Sequence, residues 1–158
     1  MVQKEHYTFG DSDLAATRLR LLARVFEPGS AALLARLADA GGALALDFGC
    51  GPGYTTGLVA AHVGSERVIG LDQSPRLLEQ ARRERESSRM SFVCCDISLA
   101  PLPVPAADVL YSRFVLTHLR DPASVVRAWA AAAKPDARLV LEETASMSCE
   151  HPVFGRYY

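Results

Sequence analysis

The period of the apolar positions changes near residue 43. Upstream, in "DLAATRLRLLARVF", Leu14, Ala15, Leu19, Leu22, Val25 and Phe26 recur at helical spacing, with Arg18, Arg20 and Arg24 mostly on other faces. This predicts an amphipathic helix that Pro28-Gly29 breaks. Ser30 is placed to cap a second helix over Ala31–Ala40, which Gly41-Gly42 ends. Downstream, short unbroken apolar runs predict buried strands at Ala43–Phe48, Arg67–Asp72, Ser91–Asp96, Ala107–Ser112 and Ala137–Glu143. Helices are predicted at Tyr54–Val63, from the Ser74 cap and Pro75 to about Ser87, and from the Asp121-Pro122 cap to Lys134. The prolines at 101, 103 and 105 mark a loop. Alternating strands and helices over residues 43–143 imply an α/β fold, a parallel sheet with helices on both faces. Ligands of such sheets bind beyond the carboxyl ends of the strands.

Candidate chemistry gathers at those ends. Asp47, Asp72 and Asp96 each terminate a predicted strand, and the first leads into Gly49, Gly51 and Gly53. Gly49 lets the chain turn off its strand, while Gly51 and Gly53 let a ligand and the next helix approach the backbone. Free N–H groups at the start of that helix favour a negative ligand group. Asp72 can accept both hydroxyls of a ribose. Asp96 can accept from an exocyclic amine while Ile97 packs on a flat ring. Together they suggest an adenosine ligand across the first three strands. A nucleotide dehydrogenase is the nearest rival, but its G-x-G-x-x-G spacing is absent, and an acid precedes the glycines here.

The stretches "LDFGCGPGYTT", "VIGLDQSP" and "FVCCDI", in that order, resemble the class I S-adenosylmethionine-dependent methyltransferases. "VLYSRFVLTHLRDP" and "AAAKPDARLVLEE" resemble that family's fourth and fifth strand segments, so the likeness covers most of residues 30–145. The resemblance implies a Rossmann-like doubly wound parallel sheet of strand order 3-2-1-4-5 and S-adenosylmethionine as cofactor. It further implies that Gly49, Gly51 and Gly53 border the methionine part, and that Asp72, with Gln73 beside it, binds ribose. Asp96 and Ile97 would hold adenine, Asp47 would help order the glycine loop and reach the methionine amino group through water, and Arg113 would line the methionine end. The amino-terminal segment "HYTFGDSDLAATRLRLLARVF" is similar to the lid of the small-molecule members. By that likeness Tyr7 closes over the sulfonium and Arg18 meets the cofactor carboxylate; a packing Tyr and a solvated Arg are equal alternatives.

The implied reaction is an in-line methyl transfer in which the protein aligns nucleophile, methyl and sulfur and excludes water. His118, in "VLTHL", is the candidate base for a hydroxyl acceptor, against a purely structural role in its loop. A non-catalytic, cofactor-holding module is the alternative function.

Composition narrows the partners. A net charge of −1 with no basic stripe gives no nucleic-acid footprint, and "RRERE" at Arg82–Glu86 reads as a solvated helix face. A small-molecule acceptor is expected. None of Cys50, Cys94, Cys95 and Cys149 falls in a C-x-x-C pair or at zinc spacing, so no metal is expected. Cys94 and Cys95 read as small buried hydrophobes. No apolar run approaches membrane-spanning length, and Lys4, Glu5 and His6 interrupt any signal-peptide pattern, so a cytoplasmic protein is expected. The chain reads as one methyltransferase domain: a helical lid over residues 1–42, a cofactor-binding core over 43–143 and a short tail over 144–158. That tail lacks the antiparallel strand pair usual in the family, which would leave the fifth strand as an edge able to pair a homodimer.

Overall fold

The computed structural model describes residues 13–146. Five parallel strands form one sheet: β1 (Leu44–Phe48), β2 (Arg67–Asp72), β3 (Met90–Cys94), β4 (Ala107–Arg113) and β5 (Ala133–Glu142). Their order is β3-β2-β1-β4-β5, as expected. The helices are α1 (Asp13–Ala35), α2 (Tyr54–His62), α3 (Pro75–Arg85) and α4 (Pro122–Ala130), with 3-10 turns at Ala38–Ala40 and Leu116–His118.

Side-chain alternation along the strands divides the core into two layers. Leu44, Leu46 and Phe48 of β1 point to α4, where they pack with Leu71, Leu110, Val125 and Trp129. Ala45 points to the opposite layer with Val68, Val109 and Tyr111, covered by Leu34 of α1 and by Val59 and Val63 of α2. On that same side Cys50, Phe92 and Leu78 and Ala81 of α3 form a smaller cluster. β1 is buried at every residue, which explains its unbroken apolar run and makes its single acid conspicuous. Asp108 locks the opposite end: its carboxylate accepts from the Leu44 N–H at 3.0 Å and pairs with Lys134 at 2.9 Å. Two of the three expected caps lie where the sequence places them, with Ser74 Oγ accepting from the Leu77 N–H and Asp121 accepting from the Ser124 N–H, while Ser30 lies inside α1 and caps nothing.

Four expectations are corrected. Pro28 and Gly29 do not end α1, which runs through them to Ala35. The proline lacks an N–H, but Ser30 and Leu34 just beyond it are fully buried against the sheet, and those contacts hold the turn helical. The buried face of α1 is also only in part the one expected. Of the expected face, Ala15 is buried and Leu19 and Leu22 are partly buried, whereas Leu14 is 80% and Val25 70% exposed; Ala23, Ser30 and Leu34 complete the buried stripe. α4 ends at Ala130 rather than Lys134, and Ala133 already pairs with Ala107. Residues 134–137 then bulge out at Pro135 and Asp136 (φ 64°) before regular pairing resumes at Arg138. Finally, Cys94 is exposed at the end of β3 rather than buried, while Cys95 just past it is half-buried and packs against the edge of the core.

Candidate functional site

β1 delivers Asp47 to the centre of the sheet and then turns. Gly49 and Cys50 N–H groups both donate to the Leu71 carbonyl, at 2.8 and 3.1 Å, which folds the glycine loop over β2. Gly49 has φ +70°, and a Cβ there would lie 2.4 Å from Val115 Cγ2, so the loop after β4 rests directly on it. Gly53, at φ +78°, opens α2 and presses against Phe92, whose ring would be 2.9 Å from a Cβ. Gly51 differs: a Cβ would meet nothing closer than Leu77 at 3.9 Å. The loop is closed on the protein side at two glycines and has room at the third.

Asp47 is 0% exposed. Its Oδ2 accepts from the Thr55 and Thr56 hydroxyls, each at 2.7 Å, tying the strand end to the first turn of α2. Its Oδ1 is buried and has no partner. Burial pushes the carboxyl from its ordinary 3.8 up to about 6, against the opposing pull of the two threonines and Arg113. A buried acceptor left without a donor is costly and points to a missing N–H.

Asp72 stands one strand away. Its Oδ2 accepts from the Gly51 N–H at 2.8 Å and its Oδ1 from the Ser74 N–H at 2.9 Å. The carboxylate thus orders the glycine loop and the start of α3. Gln73 follows it, exposed. Two residues past the end of β3, rather than at its last position, Asp96 is exposed and accepts from the Ser98 N–H and hydroxyl through one oxygen, Oδ1. Ile97 is buried, and its carbonyl accepts from Trp129 Nε1 at 2.8 Å. The structure therefore brings Asp47, Gly51 and Asp72 into one cluster and places Asp96 and Ile97 along the neighbouring strand ends.

At the end of β4, Arg113 lies near Asp47 and donates to Ser30 Oγ of α1 at 2.8 Å. Phe114 follows with φ 57°, a left-handed conformation that costs energy in a phenylalanine. Its ring packs edge-on against Phe26 of α1 at 4.7 Å. His118 ends the Leu116–His118 turn, exposed at the rim; burial lowers its proton affinity, Glu143 raises it and Arg18 lowers it. Arg18 thus acts electrostatically on His118, a separate matter from the role expected for it at the cofactor. Tyr7 lies outside the described residues, as does Cys149.

Sequence reasoning missed several contributors. Arg82 and Arg85 are more than a solvated face: Arg82 donates to the Phe92 carbonyl at 2.9 Å, and Arg85 donates to Pro52 O in the glycine loop at 3.1 Å. The Arg85 guanidinium also lies 4.5 Å from the Tyr54 ring centre. Alternating charge concealed both. Glu143 accepts from the Val115 and Leu116 N–H groups through Oε1, at 2.9 and 2.8 Å, holding the loop that covers Gly49. A cavity of about 580 Å³ opens among α1, α2 and α3, lined by Arg20, Arg24, Tyr54, Gln80 and Arg85. None of the strand-end acids lines it, so it is distinct from the site. Among the described residues no group of three metal-ligating side chains occurs, and no helix is long and apolar enough to cross a membrane.

The chain matches the methyltransferase-domain family over residues 46–141. The trans-aconitate 2-methyltransferase of Methylobacterium radiotolerans is 41% identical over 97 residues, covering 61% of this chain and 36% of that protein. An S-adenosylmethionine-dependent methyltransferase structure from Mesorhizobium loti aligns with TM-score 0.60 and 30% identity over 70% of this chain and 50% of its own. A Methanococcus maripaludis structure shares the fold at TM-score 0.72 and 18% identity, covering 89% of this chain and 67% of that one. A doubly wound sheet with an acid-glycine loop at its centre defines the class: this chain belongs to the class I S-adenosylmethionine-dependent methyltransferases. It spans about a third of the length of the Methylobacterium radiotolerans relative, 36%.

Proposed function

We propose that this protein moves a methyl group from S-adenosylmethionine to a small-molecule acceptor. The observation that carries the proposal is the partnerless Oδ1 of fully buried Asp47, beside a glycine loop with room at Gly51. An ammonium group satisfies that oxygen, and Asp72, one strand over, is suited to the two ribose hydroxyls. When bound, S-adenosylmethionine supplies a methyl group activated by its sulfonium. The chain's own part is to bind, orient and exclude water: Asp47 takes the amino group, Asp72 and Gln73 face the ribose, and Asp96 and Ile97 flank the adenine. His118, whose depressed proton affinity favours the neutral form, is the base where the acceptor is a hydroxyl; a carboxylate acceptor needs none. The trans-aconitate methyltransferase relative favours a small carboxylic acid as acceptor, and the reduced cysteines favour the cytoplasm. Among the described residues β5 is an outer strand of the sheet, with Leu139 and Leu141 exposed, which supports a homodimer through that strand. Light scattering that finds only monomer at high concentration would exclude this mode of association.

Thermal unfolding with S-adenosylhomocysteine, the demethylated product, tests the central reading. At about 100 times its dissociation constant it should stabilise the protein by roughly 2.7 kcal/mol. Asp72→Ala should weaken its binding about ten- to a hundredfold in titration calorimetry, since charge-assisted hydrogen bonds contribute roughly 1.5–3 kcal/mol. The same substitution also frees the Gly51 and Ser74 amides, so some loss of folding stability accompanies it. A stabilisation by NAD and none by S-adenosylhomocysteine would overturn the proposal.

A further inference from the structure

A relay of polar side chains joins α1 to the sheet on the Asp47 face. Tyr111 donates its hydroxyl to Glu142 Oε2. Ser30 donates to Glu142 Oε1 at 3.0 Å and accepts from Arg113 Nη1 at 2.8 Å. Register explains the convergence: Arg113 pairs with Glu142 and Tyr111 with Val140, so Tyr111, Arg113 and Glu142 project to the side that α1 covers. Asp47 pairs with Tyr111 and projects to that side too.

The direction of each bond is fixed by chemistry. A guanidinium can only donate and a carboxylate can only accept, so a group between them must do both. Ser30 is that group, and it is 0% exposed. A fully buried hydroxyl inside a helix whose bonds run to two strands of the sheet has a tertiary task. The tyrosine proton stays in place, because burial and then the bond to Glu142 push its release far above the ordinary range. The far end is therefore anchored, and the positive charge that the relay presents to Asp47 is the Arg113 guanidinium.

We infer that Ser30 is a positioning residue: from α1 it fixes the Arg113 guanidinium at the end of β4, within electrostatic reach of Asp47, where it receives the carboxylate of the cofactor's amino-acid moiety. This rests on the proposed cofactor reading. Asp47 and Arg113 then form an acid and a base side by side, complementary to the ammonium and carboxylate of one amino acid.

The test compares two ligands that share the nucleoside and thioether: S-adenosylhomocysteine, which has the amino acid, and 5′-methylthioadenosine, which lacks it. Titration calorimetry is run on the full chain and on Ser30→Ala, Ser30→Cys and Ser30→Thr. Ser30→Cys keeps the volume with a poor acceptor, and so remains informative where Ser30→Ala does not fold. Both Ser30→Ala and Ser30→Cys should bind S-adenosylhomocysteine about tenfold more weakly, with 5′-methylthioadenosine changed less than about twofold, and Ser30→Thr should restore most of the loss. Equal weakening of both ligands, or of neither, would overturn the inference and leave the cofactor reading standing. If the unsubstituted protein bound neither ligand, the cofactor reading itself would fall and this inference with it.

Discussion

Replacing Trp129 with alanine is expected to be the most damaging single change outside the glycine loop, at a cost of about 3–5 kcal/mol. Trp129 is fully buried on α4, and its indole stacks on Phe48 with ring centres 4.3 Å apart and planes 4° from parallel. Phe48 is the residue immediately before Gly49, so the stack fixes the exit of β1 from below. The indole N–H is also the donor to Ile97 O, and its removal leaves that carbonyl without this partner in the core. For a domain of this size each kcal/mol is roughly 2–4 °C, so the melting temperature should fall by about 10 °C or more. Trp129→Phe separates the two contributions. It keeps the stack and loses the hydrogen bond, and should cost about 1–2 kcal/mol. Chemical denaturation of the three proteins measures both. If alanine and phenylalanine cost the same, the hydrogen bond and not the stack carries the effect. A loss below about 1 kcal/mol for alanine would mean that Trp129 does not organise this face.

What the sequence made legible was what local chemistry decides. β2 is found where its apolar run places it, Arg67–Asp72, because both of its faces are buried and nothing competes with the pattern. The Ser74-Pro75 and Asp121-Pro122 starts were readable because capping is a contact between residues only a few positions apart. The acid-glycine loop was readable because positive φ and close packing at Gly49 and Gly53 admit few other residues. α1 was not, because the turn after Pro28 is decided by Ser30, whose partners Arg113 and Glu142 lie 83 and 112 residues away. The start of β5 was hidden for a similar reason. "WAAAAK" has good helix propensity, but the Ala107 N–H claims the Ala132 carbonyl and draws the chain onto β4. Glu143 gave no signal either: its two backbone partners, at Val115 and Leu116, belong to a loop whose path depends on Gly49. Short-range rules located the acids; long-range packing determined which of them were left with an unmet need.

That unmet need yields the second large effect. With its carboxyl raised to about 6 by burial, Asp47 should make the free protein less stable as pH rises. The sign follows from proton counts. Between the ordinary value of 3.8 and about 6 the folded state holds a proton on Asp47 that the unfolded state has released, so raising the pH favours unfolding. Across that window the cost of the buried charge grows to about 3 kcal/mol, and above it the cost is constant. Asp47→Asn carries no such charge, so the stability difference between it and the unsubstituted protein should move by about 3 kcal/mol between about pH 4 and pH 7.5, in favour of Asn at the higher pH. Taking the difference cancels the other carboxylates, including Asp108, whose opposite shift comes first from its bond to Lys134. Binding should show the mirror image. An ammonium donor at Oδ1 pulls the Asp47 proton off, so S-adenosylhomocysteine should bind the unsubstituted protein more weakly below about pH 6 and release a proton there on binding. Asp47→Asn should bind it weakly at every pH. Denaturation curves at several pH values, together with calorimetry in buffers of different ionisation enthalpy, measure both. A stability difference that does not change with pH would mean that Asp47 is charged throughout and that its buried oxygen already has a donor. A stability difference that changes while binding does not would show that the ammonium is received elsewhere.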